Sequence, residues 1–277
     1  MPPSFASDTI DDDRPIGRFL SRREVLALFG ASGAAAALAA CTPGAGTSAS
    51  LGATASASAS ASAAGSAVAS ATAVAVASGV PSCVVVPELT EGPYYVNENL
   101  ERSDIRVDTA TGSPVEGATL TLGWVVSQVE GEVCSPLEDV IVDVWHCDAK
   151  GVYSDVSAQG STGHDFLRGY QKTDKAGAAS FTTIYPGWYQ GRAVHIHFKI
   201  RTDPTAGAGF EATSQLFFDD AQNAQVFATG VYASKGAADT PNARDNIYAQ
   251  SGGSTLLTVA KQGDGYAATF EIAVKLT

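Results

Sequence analysis

A pair of histidines separated by one residue is the feature of this sequence best suited to chemistry. The chain has four histidines, and two of them, His195 and His197, lie in the segment AVHIHFKI. The alternating pattern of this segment predicts a β-strand, on which residues i and i+2 face the same side, about 7 Å apart at Cα. Two imidazoles at that spacing can bind one metal ion. Two neutral histidines on a surface strand would give the same pattern.

Two tyrosines make the metal interpretation more specific. Tyr189 lies in YPGWYQGR, an irregular loop that leads into the histidine strand, and Tyr153 follows the apolar strand VIVDVWHC. A phenol normally titrates near pH 10, but a hard trivalent cation can displace its proton and bind the phenolate. The combined set of tyrosines and histidines points to ferric iron rather than zinc. A zinc or copper site that uses only the two histidines is the alternative, and it would leave both tyrosines unexplained.

Short strands must position these side chains. Apolar segments with period-two alternation recur, separated by turn clusters such as SPLED, DAKG and QGDG. No long segment after residue 82 has convincing helical periodicity, so the sequence predicts an all-β fold, an antiparallel β-sandwich. The predicted strands are ATLTLGWVV (118–126), VIVDVWHC (140–147), ASFTTIY (179–185), AVHIHFKI (193–200), SQLFF (214–218) and YAATFEIAVKL (266–276).

The front of the chain has the pattern of an export signal. A twin arginine, Arg22 and Arg23, precedes an apolar run that ends in LAAC at Cys41. This pattern predicts that residues 1–41 are a bacterial twin-arginine signal with a lipobox, whose cysteine is lipidated, so the protein is expected to be a cell-surface lipoprotein or secreted. A short amphipathic helix with a chance arginine pair is the alternative.

An Ala/Ser/Gly-rich tract separates this signal from the rest of the chain. Residues 42–82 contain no charged or aromatic side chain, so they have too little bulky apolar surface to offset the entropy of ordering them. They are predicted to be a disordered, flexible linker. Residues 83–277 are then the single folded domain.

The charge of −12 argues against a nucleic acid partner. It gives no support to binding at an anionic membrane surface, so membrane contact is expected only through a lipidated Cys41.

Three further cysteines remain, and outside the cytoplasm one pair of them can form a disulfide. Cys83 with Cys134 is the pairing favoured here. Cys147 follows a core strand and is interpreted as a small buried hydrophobe.

Several motifs together resemble one protein family. LTEGPYYV, RSDI, VDVWHCDAKGVYS, LRGYQKTDKAGAASFTTIYPGWYQGRAVHIHFKI and SQLFFDD occur in the order found in intradiol ring-cleavage dioxygenases. The resemblance covers about residues 83–277. It implies a transthyretin-like β-sandwich core and one non-haem ferric ion per chain, with the ligands Tyr153, Tyr189, His195 and His197. It also implies that O2 is inserted into a catechol-type diol to give a cis,cis-muconate-type product.

The resemblance also implies roles for individual residues. Tyr189 would act as a general base as well as a ligand, and Arg192 would stabilise negative charge on the substrate ring. Gln215 would orient the substrate or oxygen. The alternatives are a surface salt bridge for Arg192 and a solvent-facing strand position for Gln215.

Other aromatic and histidine side chains receive structural interpretations. His146 is expected to be a satisfied structural histidine and His164 a loop histidine. Tyr94 and Tyr95 either form a wall of the substrate pocket or cap the sandwich.

The sequence departs from the family in one respect. The helical dimerisation segment typical of catechol dioxygenases is missing, so self-association and the preferred diol are left open.

A secreted β-sandwich module that binds aromatics or carbohydrate without catalysis is the rival hypothesis. The presence of all four ligand-type residues argues against it.

The front of the chain generates the first testable prediction. Cys41→Ser removes the thiol that would be acylated, so it should abolish lipidation and release the protein from the membrane fraction. Arg22→Lys combined with Arg23→Lys should block export. Labelling with a fatty-acid analogue and cell fractionation measure both effects. A full-length precursor that stays in the cytoplasm and is indifferent to both changes would contradict the assignment.

Overall fold

The structure, a computed structural model, describes residues 85–202 and 209–276. The predicted signal and linker, and the boundaries of the predicted domain, lie outside the described residues. Within them the chain forms eleven strands: β1 (Val107–Asp108), β2 (Ser113–Pro114), β3 (Thr119–Glu130), β4 (Val133–Pro136), β5 (Ile141–Trp145), β6 (Arg168–Lys172), β7 (Ala178–Ile184), β8 (His195–Arg201), β9 (Glu211–Phe217), β10 (Ala260–Gln262) and β11 (Gly265–Val274).

Two sheets form the predicted β-sandwich, which is confirmed. One sheet has the antiparallel order β6-β5-β8-β9, and the other has the order β10-β11-β3-β4 with β7 also paired to β3. Strands β1 and β2 form a separate antiparallel pair. The pairing of β11 with β3 is parallel, which departs from a purely antiparallel prediction. An alternating strand pattern carries no information on the direction of a neighbouring strand, and the long connection from β3 to β11 permits a parallel crossover.

The core between the sheets follows from alternation along the strands. In β3 the buried side chains include Leu120, Leu122 and Trp124, at every second position. Trp124 packs against Phe198 of the other sheet, with ring centroids 4.8 Å apart, and against Phe270 of its own sheet at 5.6 Å. This aromatic contact joins the two layers.

The outer face of the four-stranded sheet is also buried, because an irregular segment covers it. Every residue of β5, β8 and β9 is buried. Leu89 N donates to Thr213 O at 2.9 Å, and Ser214 Oγ donates to Pro87 O at 2.9 Å, so residues 87–89 lie along the edge of β9. The histidine strand β8 therefore turns its polar side chains into an enclosed layer rather than into solvent.

Two short helices lie between β9 and β10. They are α1 (Asp220–Phe227) and α2 (Asn246–Ser251), capped by the side chains of Asp219 and Asp245. Single turns of 3-10 helix occur at Ser157–Gln159, Gly230–Ser234 and Asn242–Arg244. None of the helices in the described segments is long and apolar enough to cross a membrane.

The cysteine predictions are tested in part. Cys147 is free and buried, as predicted. Cys134 is in a disulfide, which excludes a bond between these two. Cys83 lies outside the described residues, so its pairing with Cys134 stays a prediction.

Candidate metal centre

Four side chains converge on one buried point at the end of the four-stranded sheet. His195 Nε2 lies 3.1 Å from His197 Nε2, 3.4 Å from Tyr153 Oη and 3.3 Å from Tyr189 Oη. Donor atoms that share an ion at about 2.0–2.2 Å are expected to lie about 3 Å apart. The three distances from His195 Nε2 match that spacing.

Tyr153 is fixed by hydrogen bonds on both sides of its backbone. Its N–H donates to Gln159 Oε1 at 2.6 Å, and its carbonyl accepts from the Ser161 hydroxyl. The next residue, Ser154, accepts two bonds from the buried Arg168, from Nε at 2.9 Å to the hydroxyl and from Nη2 at 2.7 Å to the carbonyl. The loop after β5 thus holds the phenol in a fixed position, although its regular structure is limited to the 3-10 turn at Ser157–Gln159.

The loop that carries Tyr189 packs closely against the loop that carries Tyr153. A Cβ at Gly151 would lie 2.2 Å from Trp188 O, and one at Gly187 would lie 2.4 Å from Asp148 O. Lys235 donates to Trp188 O at 2.6 Å and also to Lys150 O. The two loops can approach this closely only because glycine has no side chain, and Lys235 joins them.

The two histidines are oriented by different contacts. His195 Nδ1 lies 2.6 Å from Ala193 O, and a carbonyl only accepts, so Nδ1 carries the proton and Nε2 keeps its lone pair. His197 instead stacks on Trp145, with ring centroids 5.0 Å apart and an angle of 11° between the planes. Its Nδ1 is buried with no hydrogen-bond partner among the described residues. The Nε2 atom of His195 faces both tyrosine oxygens and the Nε2 atom of His197.

Burial sets the protonation states of all four groups. Desolvation, with the charge of Arg192, lowers the pKa of His195 to about 3, and desolvation with His195 holds that of His197 well below its usual value. Desolvation raises the pKa of Tyr189 to about 12 and that of Tyr153 well above 10. The imidazoles are therefore neutral at physiological pH, which is their metal-binding form, and the phenols need a strong cation to replace their protons.

The donor chemistry fits a hard trivalent ion. Within residues 85–202 and 209–276, no three His, Cys, Asp or Glu side chains are grouped closely enough to hold a metal by themselves. At this point the phenol oxygens of Tyr153 and Tyr189 are the further donors beside the histidine pair. Ferric iron, which forms strong bonds with phenolates and imidazoles, suits this set. The residues that would hold it are Tyr153, Tyr189, His195 and His197.

Arg192 and Gln215 lie beside this point. Gln215 is opposite His197 in the β8–β9 register and is fully buried, so a solvent-facing position for it is wrong. Arg192 donates from Nη2 to Gln215 Oε1 at 2.5 Å, and its Nη1 lies 3.4 Å from Tyr189 Oη. The structure thus brings together all six residues singled out from the sequence, and their roles stay predictions.

The other sequence candidates separate into two groups. Tyr94 stacks on Tyr153, with centroids 4.6 Å apart, so it borders the site, whereas Tyr95 packs behind it on Trp145 at 4.7 Å. His146 is a satisfied structural histidine, because Nδ1 contacts Cys147 O at 2.8 Å and Nε2 contacts the Thr183 hydroxyl at 2.6 Å. His164 lies in a loop and pairs with Asp108 at 2.8 Å.

Two residues that border the site were not identified from the sequence. Asp245 accepts from Arg192 Nε at 2.8 Å, and an aspartate just before a short helical segment could have indicated a cap but not this contact. Gly92 has φ +74°, and a Cβ there would lie 3.3 Å from His197 Cε1. Only the GP dipeptide that follows Glu91 indicated a turn at that position.

Comparisons with known proteins agree with one another. A protein-family model described as a dioxygenase matches residues 90–237, more than half of the chain. Catechol 1,2-dioxygenase 1 of Acinetobacter lwoffii is 27% identical over 140 residues, which are 42% of this chain and 42% of that protein. A chlorocatechol 1,2-dioxygenase of Cupriavidus pinatubonensis is 28% identical over 148 residues, which are 47% of this chain and 53% of that protein. The chain spans about half the length of these curated relatives.

A solved structure covers more of the chain. An intradiol ring-cleavage dioxygenase from Tetranychus urticae is 26% identical and superposes with a TM-score of 0.57, covering 68% of this chain and 93% of that one. Its similarity extends over most of the described β-sandwich.

The close approach of Gly92 to His197 generates the second prediction. Gly92→Ala should place a methyl group against the imidazole and reduce the affinity for ferric iron about tenfold to a hundredfold, as changes next to metal ligands do. Gly112→Ala is the matched control, because Gly112 has φ +69° and open space around it. Both variants should lose about 1–2 kcal/mol of stability from the left-handed backbone. Equal iron affinity in the two variants, measured by titration, would contradict the contact.

Proposed function

This chain belongs to the intradiol ring-cleavage dioxygenase family, and we propose that it uses ferric iron and O2 to open the ring of a catechol-type diol. The observation that carries the proposal is the convergence of two buried phenols and two neutral imidazoles on one point. The ring opens between the two hydroxyl-bearing carbons, and both oxygen atoms enter the product, a cis,cis-muconate-type diacid.

The proposed cofactor is one ferric ion per chain. Ferric iron held by the four side chains would act as a Lewis acid that draws electron density from the bound diol and makes the ring reactive toward oxygen. What supports this choice over zinc is that two phenol oxygens lie within 3.4 Å of His195 Nε2, because a hard trivalent ion binds phenolate strongly.

Tyr189 would serve as a general base as well as a ligand. Its phenol is buried, and desolvation raises its pKa to about 12, so its oxygen holds a proton tightly whenever it is not bound to a metal. The nearby Arg192 guanidinium, 3.4 Å from Tyr189 Oη, favours the ionised form. Tyr189 can therefore accept a proton from an incoming diol hydroxyl.

Arg192 would stabilise negative charge that develops on the ring. A guanidinium held in fixed position in a buried site acts strongly on such charge, because the surroundings need no reorganisation during the reaction. Gln215, fixed between Arg192 and Thr90 O at 2.8 Å, would hold the guanidinium and orient the substrate or oxygen. The substrates are thus a small aromatic diol and O2.

We also propose that the protein is exported, as a cell-surface lipoprotein or a secreted protein. The support is the twin arginine at Arg22 and Arg23, the apolar run and the lipobox ending at Cys41. A linker over residues 42–82 would then hold the catalytic domain away from the membrane.

The metal assignment generates the third prediction. The purified protein should hold about one ferric ion per chain and show a visible band from charge transfer between tyrosinate and iron. Tyr153→Phe removes one phenolate donor, so it should shift this band or lose the iron. Metal analysis and optical spectroscopy measure both. Stoichiometric zinc in a colourless protein that is active in that state would refute the iron proposal.

Ring cleavage generates the fourth prediction. Arg192→Ala should keep its iron and its spectral change on catechol addition, because the guanidinium acts mainly after the diol has bound. Its turnover should fall about a hundredfold to a thousandfold, as for the loss of one stabilising donor. Oxygen uptake and product absorbance measure the rate, and the wild-type product should be the muconate. A wild type that binds catechol but consumes no oxygen would favour the binding-module hypothesis.

A further inference from the structure

One carboxylate, that of Asp245, joins α2 to the loop that carries Arg192. Its Oδ2 accepts from Arg192 Nε and from Ala193 N, both at 2.8 Å. Its Oδ1 accepts from Ile247 N at 2.7 Å and from Tyr248 N at 3.0 Å, which caps the helix. The side chain is 1% exposed, so all four bonds are made in a buried setting.

The geometry leaves Asp245 little freedom. Four donors approach from two directions, and each carboxylate oxygen serves two of them. Charge-assisted hydrogen bonds of this kind are roughly twice as strong as neutral ones. The helix cap therefore fixes the orientation of the carboxylate, and the carboxylate fixes the Nε side of the guanidinium.

The rest of the guanidinium is held from the opposite side. Gln215 accepts from Nη2 at 2.5 Å, and Gln215 itself donates to Thr90 O at 2.8 Å. With Nε bound to Asp245, the remaining nitrogen, Nη1, is directed to Tyr189 Oη at 3.4 Å. Arg192 is thus clamped between a helix N-terminus and β9.

We propose that Asp245 is a positioning residue for ring cleavage, which it supports by holding Arg192 at the site. The proposal rests on the function proposed above, because it assigns Arg192 to the reaction. Asp245 lies beyond residues 90–237 that the dioxygenase model matches. Its part in the site therefore comes from the structure and not from that match.

The chain offers a matched control in Asp219. Its Oδ1 caps α1 by accepting from Ala221 N at 2.9 Å and from Gln222 N at 3.0 Å. An asparagine can keep both of these bonds through its own Oδ1. At Asp245 an asparagine keeps the cap but turns an N–H group toward the N–H groups of Arg192 and Ala193, so only this site loses its second function.

The experiment compares Asp245→Asn with Asp219→Asn in the iron-loaded full chain. We expect Asp245→Asn to lower kcat about tenfold to a hundredfold, the usual range for a supporting residue, with KM changed less than about threefold and iron content unchanged. Asp219→Asn should leave kcat within about twofold of wild type. The double variant Asp245→Asn with Arg192→Ala should have the same kcat as Arg192→Ala alone, because both substitutions act through the guanidinium of Arg192.

Two kinetic outcomes would overturn the proposal. One is an equal kcat for Asp245→Asn and Asp219→Asn. The other is a double variant whose loss is the product of the two single losses, because Asp245 would then act independently of Arg192. If Asp245→Asn does not fold, the same comparison is made with Asp245→Ser, and Asp219→Ser is then the control. Serine caps helices about as well as aspartate.

A crystal structure of the Asp245 variant separates this proposal from the proposed function. If the wild type consumes no oxygen with any diol, the function fails, but the position of Arg192 can still be measured. A guanidinium displaced from Gln215 and Tyr189 would uphold the positioning role. A guanidinium that stays on both would overturn it.

Discussion

The burial of two phenols and two imidazoles around one point is the constraint on which the site depends. Desolvation disfavours both phenolate and imidazolium, so the protein alone leaves all four groups uncharged. Such a set has no strong internal attraction, because its members cannot pair as ions. A cation that replaces the phenol protons would supply the positive charge that attracts the two phenolates. The same burial would make the attraction between the cation and the four side chains stronger than in water.

The layer that encloses this point is itself held by buried charges. Lys199, two residues after His197 on the same face, pairs with Glu91 and Glu211, and Arg201 pairs with Asp143 at 2.7 Å. Buried ion pairs of this kind contribute little net stability but are strongly destabilising when one partner is removed. Here these ion pairs determine where the segment that covers the sheet lies. Glu91 precedes Gly92, so the pair with Lys199 fixes the covering segment at the place where it touches the imidazole.

Desolvation also shifts the pKa values of two carboxylates near the site, Asp143 and Glu88. It raises the pKa of Asp143 to about 6, although Arg201 opposes the shift, and it raises the pKa of Glu88 to about 7. Each of these carboxylates takes up a proton more readily in the folded than in the unfolded state. Their ionisation therefore destabilises the fold as pH rises through their ordinary values near 4 toward neutrality. Enclosing Asp143 and Glu88 near the site therefore costs the fold some stability at neutral pH.

The six predicted segments overlap β3, β5, β7, β8, β9 and β11, which have clear alternation or apolar runs, although their ends differ by one to four residues. The strands β1, β2, β4, β6 and β10 were not predicted, since each has at most five residues and none has the apolar run that marks β5. His195 and His197 could be placed on one face from spacing alone. Gly92 and Asp245 could not be found that way, because their contacts depend on segments distant in sequence that fold over the sheet.

The helical segment after β9 shows how such distant contacts are built. Asp245 caps α2 and holds Arg192, Lys235 joins the two tyrosine loops, and Gly236 accepts from Trp188 Nε1 at 2.9 Å. The β-sandwich presents His195 and His197 on a rigid strand, but both tyrosines and the arginine lie on loops. Loops keep a defined geometry only when their backbone and side-chain groups are bound from outside. The segment after β9 supplies such bonds to Arg192 and to the loop of Tyr189, so the precision of these residues depends on a part of the chain that contributes no metal ligand.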